Sequence, residues 1–168
     1  MTYEYDFVDG WLIRDRADCI PVDEVSKATI FALANGYMSS RGAPENVSPL
    51  LPSVVGHYIN GIYDSPTDSI LDREMINLPA WTVMALQADG QFLDLECDAL
   101  QKYTRTLDMK RGVLEQNIKW RLSNGTNIRL VSERLVSMEK QHLAGIHWQL
   151  SADADCDIVL SSALDAAV

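Results

Sequence analysis

Through most of its C-terminal two-thirds this chain alternates apolar and polar residues with a period of two, the spacing of a strand that buries one face and wets the other. That pattern restricts the fold to a mainly β one. Met84-Ala85-Leu86-Gln87-Ala88 runs into Asp89-Gly90 and leaves through Gln91-Phe92-Leu93-Asp94-Leu95. A two-residue type I′ turn at Asp89-Gly90 sets Leu86 opposite Leu93 and Met84 opposite Leu95, so turn chemistry and apolar pairing agree. In a second hairpin, Ile118-Lys119-Trp120-Arg121-Leu122 and Thr126-Asn127-Ile128-Arg129-Leu130 flank Asn124-Gly125. A two-residue loop there would set Trp120 against Arg129. Because a one-residue slip exchanges the faces of a strand, the better register uses a three-residue loop, Ser123-Asn124-Gly125, with Gly125 left-handed in a G1 bulge. Trp120 then faces Ile128, and Ile118 faces Leu130.

A further strand presents Ala144, Ile146, Trp148 and Leu150 on one face and ends in the acidic turn Asp153-Ala154-Asp155-Cys156-Asp157. The unbroken apolar run Ile158-Val159-Leu160 opens one more strand and predicts cover on both sides. Earlier, the stretch from about Asp23 to Ala34 is the best helical candidate, with Asn35-Gly36 supplying the residues of a left-handed C-cap. Ala43 to Ser53 and Asp64 to Glu74 read as loops. Many short strands between turns, with no internal repeat, predict an antiparallel β-sandwich with a short helix near the N-terminus.

The 168 residues are enough for one domain with a sizeable core. A net charge of −10, from 14 basic and 24 acidic residues, repels phosphate backbones and anionic lipid, so neither nucleic acid nor membrane is an expected partner. Cys19, Cys97 and Cys156 are an odd number without CxxC spacing, which fits a reducing cytoplasm better than a disulfide framework or a zinc site. His57, His142 and His147 are too dispersed for metal ligation, so no metal and no cofactor is expected.

Six segments carry a resemblance. Asn35-Gly36-Tyr37-Met38-Ser39-Ser40-Arg41-Gly42 resembles a motif near the start of glycoside hydrolase family 65 proteins, which include maltose, trehalose and kojibiose phosphorylases. It is followed, in that family's order, by Tyr58-Ile59-Asn60-Gly61-Ile62-Tyr63-Asp64, Asn77-Leu78-Pro79-Ala80-Trp81 and Arg105-Thr106-Leu107-Asp108-Met109-Lys110-Arg111-Gly112. Ser132-Glu133-Arg134-Leu135-Val136-Ser137 and Ser162-Ala163-Leu164-Asp165 complete the series. Ser39 and Ala166 stand where the family often has glycine, which puts the local loop geometry in question.

The resemblance implies a single N-terminal domain over residues 1–168, a supersandwich of galactose-mutarotase-like type. That sandwich is longer in the family, so an incomplete one is expected here. A catalytic (α/α)6 barrel, which carries the general-acid glutamate and the phosphate site, would lie outside this chain. The resemblance therefore implies no catalytic residue here, inorganic phosphate as a co-substrate of the parent enzyme, the barrel as partner, a disaccharide as the parent's substrate, and a homodimer as one assembly.

Asn35, Tyr37, Arg41, Tyr58, Trp81 and Arg111 are candidates for a barrel interface or sugar rim, since loop residues placed by a rigid scaffold can shape a neighbouring site. The plainer reading of Asn35 to Gly42 is a helix cap and turn with a structural arginine. Trp120 and Trp148 read as core, and Trp81 and Tyr58 as core or sugar platform. Lys102, Arg105, Lys110 and Arg111 invite a phosphate-binding reading, against which stands surface pairing with Asp108 and nearby carboxylates. Glu133 sits in one of these segments, and Arg134 beside it suggests a structural role. Two functions follow from the sequence: a non-catalytic support domain of a disaccharide phosphorylase or hydrolase, or a free-standing carbohydrate-binding sandwich.

Overall fold

The computed structural model describes residues 6–8, 10–17, 24–45, 55–64, 73–95 and 97–166. The main layer is a six-stranded antiparallel sheet of β1 (Asp6–Val8), β2 (Leu12–Ala17), β10 (Leu100–Asp108), β11 (Val113–Arg121), β12 (Asn127–Val136) and β13 (Ala144–Ala152), side by side in that order. A second sheet runs β14 (Ile158–Asp165), β8 (Ala80–Ala88), β9 (Gln91–Phe92). The helix α1 (Glu24–Ile30) leads into a small sheet of β3 (Leu33–Ala34), β4 (Met38–Ser40) and β5 (His57–Ile59). A two-stranded ribbon pairs β6 (Tyr63–Asp64) with β7 (Glu74–Met75). The fold is thus an antiparallel β-sandwich with one short helix among the described residues, as the alternation requires.

Turn chemistry sets the registers. Asp89 and Gly90 both hold positive φ, 49° and 76°, which makes the two-residue turn, and the Leu93 amide donates to the Leu86 carbonyl at 2.9 Å. The expected partnering of Met84 with Leu95 does not form. β9 stops at Phe92, the Met84 amide donates instead to the Glu45 carbonyl at 3.3 Å, and Leu95 turns into the core. At the second hairpin Gly125 has φ 92°, Trp120 pairs with Ile128, and Ile118 pairs with Leu130, the three-residue-loop register.

Three expectations need correction. The helix ends at Ile30, and Leu33–Ala34 is a strand: Phe31 and Leu33 enter a core cluster with Leu107, Leu114 and Val136, and burying them ends the helical path. Asn35-Gly36 is therefore the turn of the β3–β4 hairpin and not a helix cap, with Gly36 at φ 87°. Among the described residues nothing covers Ile158-Val159-Leu160 on both sides: β14 is an edge strand whose eight residues are all exposed, Val159 to 54% and Leu160 to 53%. The Ala43 to Ser53 loop is described only at Ala43, Pro44 and Glu45, and its remainder lies outside the described residues. Of the Asp64 to Glu74 loop, the two ends pair as β6 and β7 and residues 65–72 lie outside the description. Ser39 occupies extended backbone inside β4, paired with Tyr58, so a side chain there meets no conformational penalty.

The apolar core fills the space between the two larger sheets, where Leu86, Ala88, Leu93 and Leu95 meet Tyr103, Ile118, Trp120, Ile128 and Leu130. Trp120 is fully buried and its Nε1 donates to the Asp94 carbonyl at 2.8 Å. Trp148 packs on the same cluster half-buried, since its strand is at the sheet edge.

Candidate functional site

The inner face of the main sheet is not apolar throughout. Register places Asp15, Arg105, Gln116 and Ser132 in one row across β2, β10, β11 and β12, and all four are buried. Above the row sit Glu24 and Lys27 of α1 and the segment Arg41 to Glu45. Arg105 donates through Nη1 to Glu24 at 3.0 Å and to the Gly42 carbonyl at 2.7 Å, and through Nη2 to Asp15 at 3.2 Å and Glu24 at 3.2 Å. Lys27 reaches Asp15 at 2.9 Å. Two strands over, on β12, Arg134 donates to the Ala43 carbonyl at 2.5 Å and lies 3.2 Å from Glu45, whose other oxygen accepts from Gln116 at 2.7 Å and Ser132 at 3.1 Å. Arg134 Nε and Glu45 Oε1 are close enough to pair as ions without the alignment of a hydrogen bond. Three buried cations thus face three buried carboxylates, the condition under which charge can be held in a core.

Burial raises the Glu24 pKa above the usual carboxylate range, with Arg105 the main opposing influence. Burial works against the charge of Arg105, and Tyr103, Glu24 and Asp15 around it more than offset that, leaving its pKa raised. Arg134 goes the other way: burial lowers it, and Glu45 offsets part of the effect. His57, buried beside Thr82 and the Trp81 ring, is pushed down to about 4 by burial, with Arg134 adding to the effect. None of the buried carboxylates lines either described surface depression, and each is committed to a guanidinium or ammonium group. The arrangement locks α1 and residues 41–45 onto the sheet and offers no free acid paired with a free base.

The six candidates do not converge on one site. Asn35 spends its full capacity locally, accepting from the Tyr37 and Met38 amides at 3.0 and 2.9 Å and donating to the Ser137 and Gln141 carbonyls at 2.7 and 3.0 Å. It ties the β3–β4 turn to the connection between β12 and β13. Tyr37 stands edge-on against His142 at 4.3 Å between centroids. Arg41 donates to the Val25 carbonyl at 2.6 Å and Thr29 Oγ1 at 2.9 Å, clamping α1, and Tyr58 crowds beside it around Gly56. Trp81 is half-buried on His57, at 5.5 Å between centroids. Arg111 lies apart on the outer face, paired with Glu133 at 3.0 Å and Asp108 at 4.0 Å. The hydrogen bond to Glu133 raises the Arg111 pKa and lowers that of Glu133.

The basic residues do not gather at one site either. Arg105 points inward, Arg111 pairs on the surface with carboxylates, and Lys102 points to solvent in another row. Glu133 and Arg134 do not pair with each other, because adjacent residues of β12 face opposite sides of the sheet. The sequence reading missed Glu45, Gln116 and Arg134 as parts of the buried network, although strand parity alone puts Gln116 and Arg134 on the core face.

Among the described residues no group of three or more His, Cys, Asp or Glu is placed to hold a metal ion, and no helix is long and apolar enough to cross a membrane. The fold and its ion-locked joint define a β-sandwich domain whose helix and 41–45 segment are fastened to the main sheet. The profile described as glycosyl hydrolase family 65, N-terminal domain, matches residues 18–168, and the chain belongs to that family. An α,α-trehalose phosphorylase of Thermoanaerobacter brockii is 34% identical over 157 residues, covering 87% of this chain and 20% of the relative. A kojibiose phosphorylase of Escherichia coli K12 is 30% identical over 140 residues, covering 83% of this chain and 18% of the relative. A solved structure from the human microbiome, provisionally called a kojibiose phosphorylase, superposes with a TM-score of 0.77 at 24% identity over 94% of this chain and 21% of its own, a likeness of fold. The chain spans about a fifth of the length of these proteins.

Proposed function

We propose that this chain is the non-catalytic N-terminal domain of a family 65 disaccharide phosphorylase, and that it supports a catalytic barrel and the rim of its active site. The observation that carries the reading is the committed state of the buried carboxylates among the described residues: Asp15, Glu24 and Glu45 are all engaged by Arg105, Lys27 or Arg134, so none is poised as an acid or base toward a substrate. The wholly exposed apolar strand β14 supports it too, as a surface suited to further protein. In this reading the barrel supplies the glutamate that protonates the glycosidic oxygen while inorganic phosphate attacks the anomeric carbon with inversion. The parent's substrate is an α-linked disaccharide, since the relatives are trehalose and kojibiose phosphorylases. The free thiols Cys97 and Cys156 support a cytoplasmic setting.

Assays for phosphorolysis and hydrolysis of trehalose, kojibiose, nigerose and maltose should find no turnover by the 168-residue chain and turnover by the parent polypeptide. Turnover by the purified chain alone would refute the reading. Calorimetric binding of these sugars by the chain alone would favour a free-standing sugar-binding module instead.

A further inference from the structure

The outer face of the main sheet holds a feature that the support role does not use. Register sets Lys102 of β10 opposite Lys119 of β11, and Lys119 opposite Arg129 of β12, with all three exposed. Like charges directly opposite on neighbouring strands repel and lower sheet stability. In a chain of net charge −10 a neutralising carboxylate is easily supplied, yet no ion pair among the described residues includes these three or the nearby Arg14.

The row borders a depression of about 560 Å³, within the size range of small-molecule sites, and among the described residues Glu115 is the only acid that lines it. Two arginines are already aimed there. Arg14 Nε donates to Thr106 Oγ1 at 3.3 Å, and Arg129 Nε donates to Asn117 Oδ1 at 3.3 Å. Each guanidinium is thereby oriented by a neutral neighbour, while its terminal nitrogens have no partner among the described residues. Such forks match the geometry of phosphate and carboxylate oxygens.

We propose that this depression binds a compact, multiply charged oxyanion, a small molecule bearing phosphate or carboxylate groups. Compactness follows from the electrostatics. Screening confines the local positive field to about one Debye length, ~8 Å at physiological salt, and an extended polyanion leaving that zone would meet the acidic remainder of the chain.

The test titrates the full chain with pyrophosphate and, separately, with citrate, each against sodium chloride of matched ionic strength, and follows the thermal midpoint. A saturable rise with one or both anions and none with chloride is expected, and the anion with the lower half-saturation identifies the preferred oxyanion. The double variant Lys119→Gln/Arg129→Gln, outside the core, should raise the half-saturation concentration at least tenfold. With no anion at low salt, Lys119→Gln alone should raise the midpoint, because it removes the middle of three like charges. A response equal to that of chloride, or one undiminished in the double variant, overturns the site. A Lys119→Gln midpoint that falls overturns the repulsion argument.

Discussion

Arg105 is the keystone of the buried network, and its replacement by methionine gives a worked test. The change keeps much of the apolar volume but removes both ion pairs to Glu24 and Asp15, at 3.0 and 3.2 Å, and the bond to the Gly42 carbonyl. Asp15 retains Lys27 at 2.9 Å, whereas Glu24, 6% exposed, loses the cation that holds it. Breaking one side of a buried pair costs about 3–5 kcal/mol. With an m-value of roughly 2 kcal/mol/M in urea for a protein of this size, the midpoint should fall by about 1.5–2.5 M. The pH dependence has a definite sign. Burial raises the Glu24 pKa in the folded state, so the native protein binds that proton more tightly than the unfolded chain. Without Arg105 the pKa climbs further, and the variant should recover stability as pH falls from neutrality through that folded pKa. Adding Glu24→Gln should recover part of the loss at neutral pH. A urea midpoint within about 0.3 M of the parent would refute the reasoning, since it would place the pair near the surface value of 0–1 kcal/mol. If Arg105→Met does not fold, Arg105→Lys keeps a charge but loses the fork, and its midpoint should still fall.

Two further outcomes are expected. His57 titrates near 4 in the folded state against an ordinary 6.5, so acidification protonates the unfolded chain first, and stability falls as pH drops across that window by up to ~3 kcal/mol. Urea titrations of the parent and of His57→Gln between pH 7 and pH 4.5 should converge, and parallel curves would remove the argument. The exposed edge β14 should make the 168-residue chain self-associate by strand pairing, with Val159→Lys shifting light scattering toward monomer. A parent chain already monodisperse and monomeric would contradict it.

Strand parity made both hairpins legible, because turn residues and apolar pairing agreed at Asp89-Gly90 and at Ser123-Asn124-Gly125. Where the two signals were not independent, the reading failed. Helical periodicity over Asp23 to Ala34 extended past Ile30 because Phe31 and Leu33 are apolar in either conformation, and only tertiary contact with Leu107 and Leu114 decides between them. The run Ile158-Val159-Leu160 reads as covered on both sides, yet it belongs to an exposed edge strand, and parity alone cannot tell an apolar run that is buried from one that is not. The ionic row failed for a different reason. Arg105 alternates with Tyr103 and Leu107, and Arg134 with Ser132 and Val136, so parity by itself puts both on the inner face. The usual preference of charge for water points the other way, and the partners that tip the balance lie 63 to 91 residues away in sequence.

Those distant partners explain what the family-like segments do. Asn35, Arg41 and Gly42 come from one such segment, Arg105 from another, and Ser132 and Arg134 from a third. All meet at the joint between residues 24–45 and the main sheet. Gly42 shows the constraint most sharply: a Cβ there would collide with the Phe31 backbone, while its own amide donates to the Ala28 carbonyl at 2.7 Å and its carbonyl takes Arg105. Asn77 adds the same kind of fastening, accepting from the His57 amide at 2.9 Å. A segment selected to bind sugar would leave donors and acceptors open toward solvent. Asn35, Arg41, Gly42, Asn77, Arg105 and Arg134 instead spend theirs on the protein's own backbone and on its side chains, as polar groups that are partly or fully buried do.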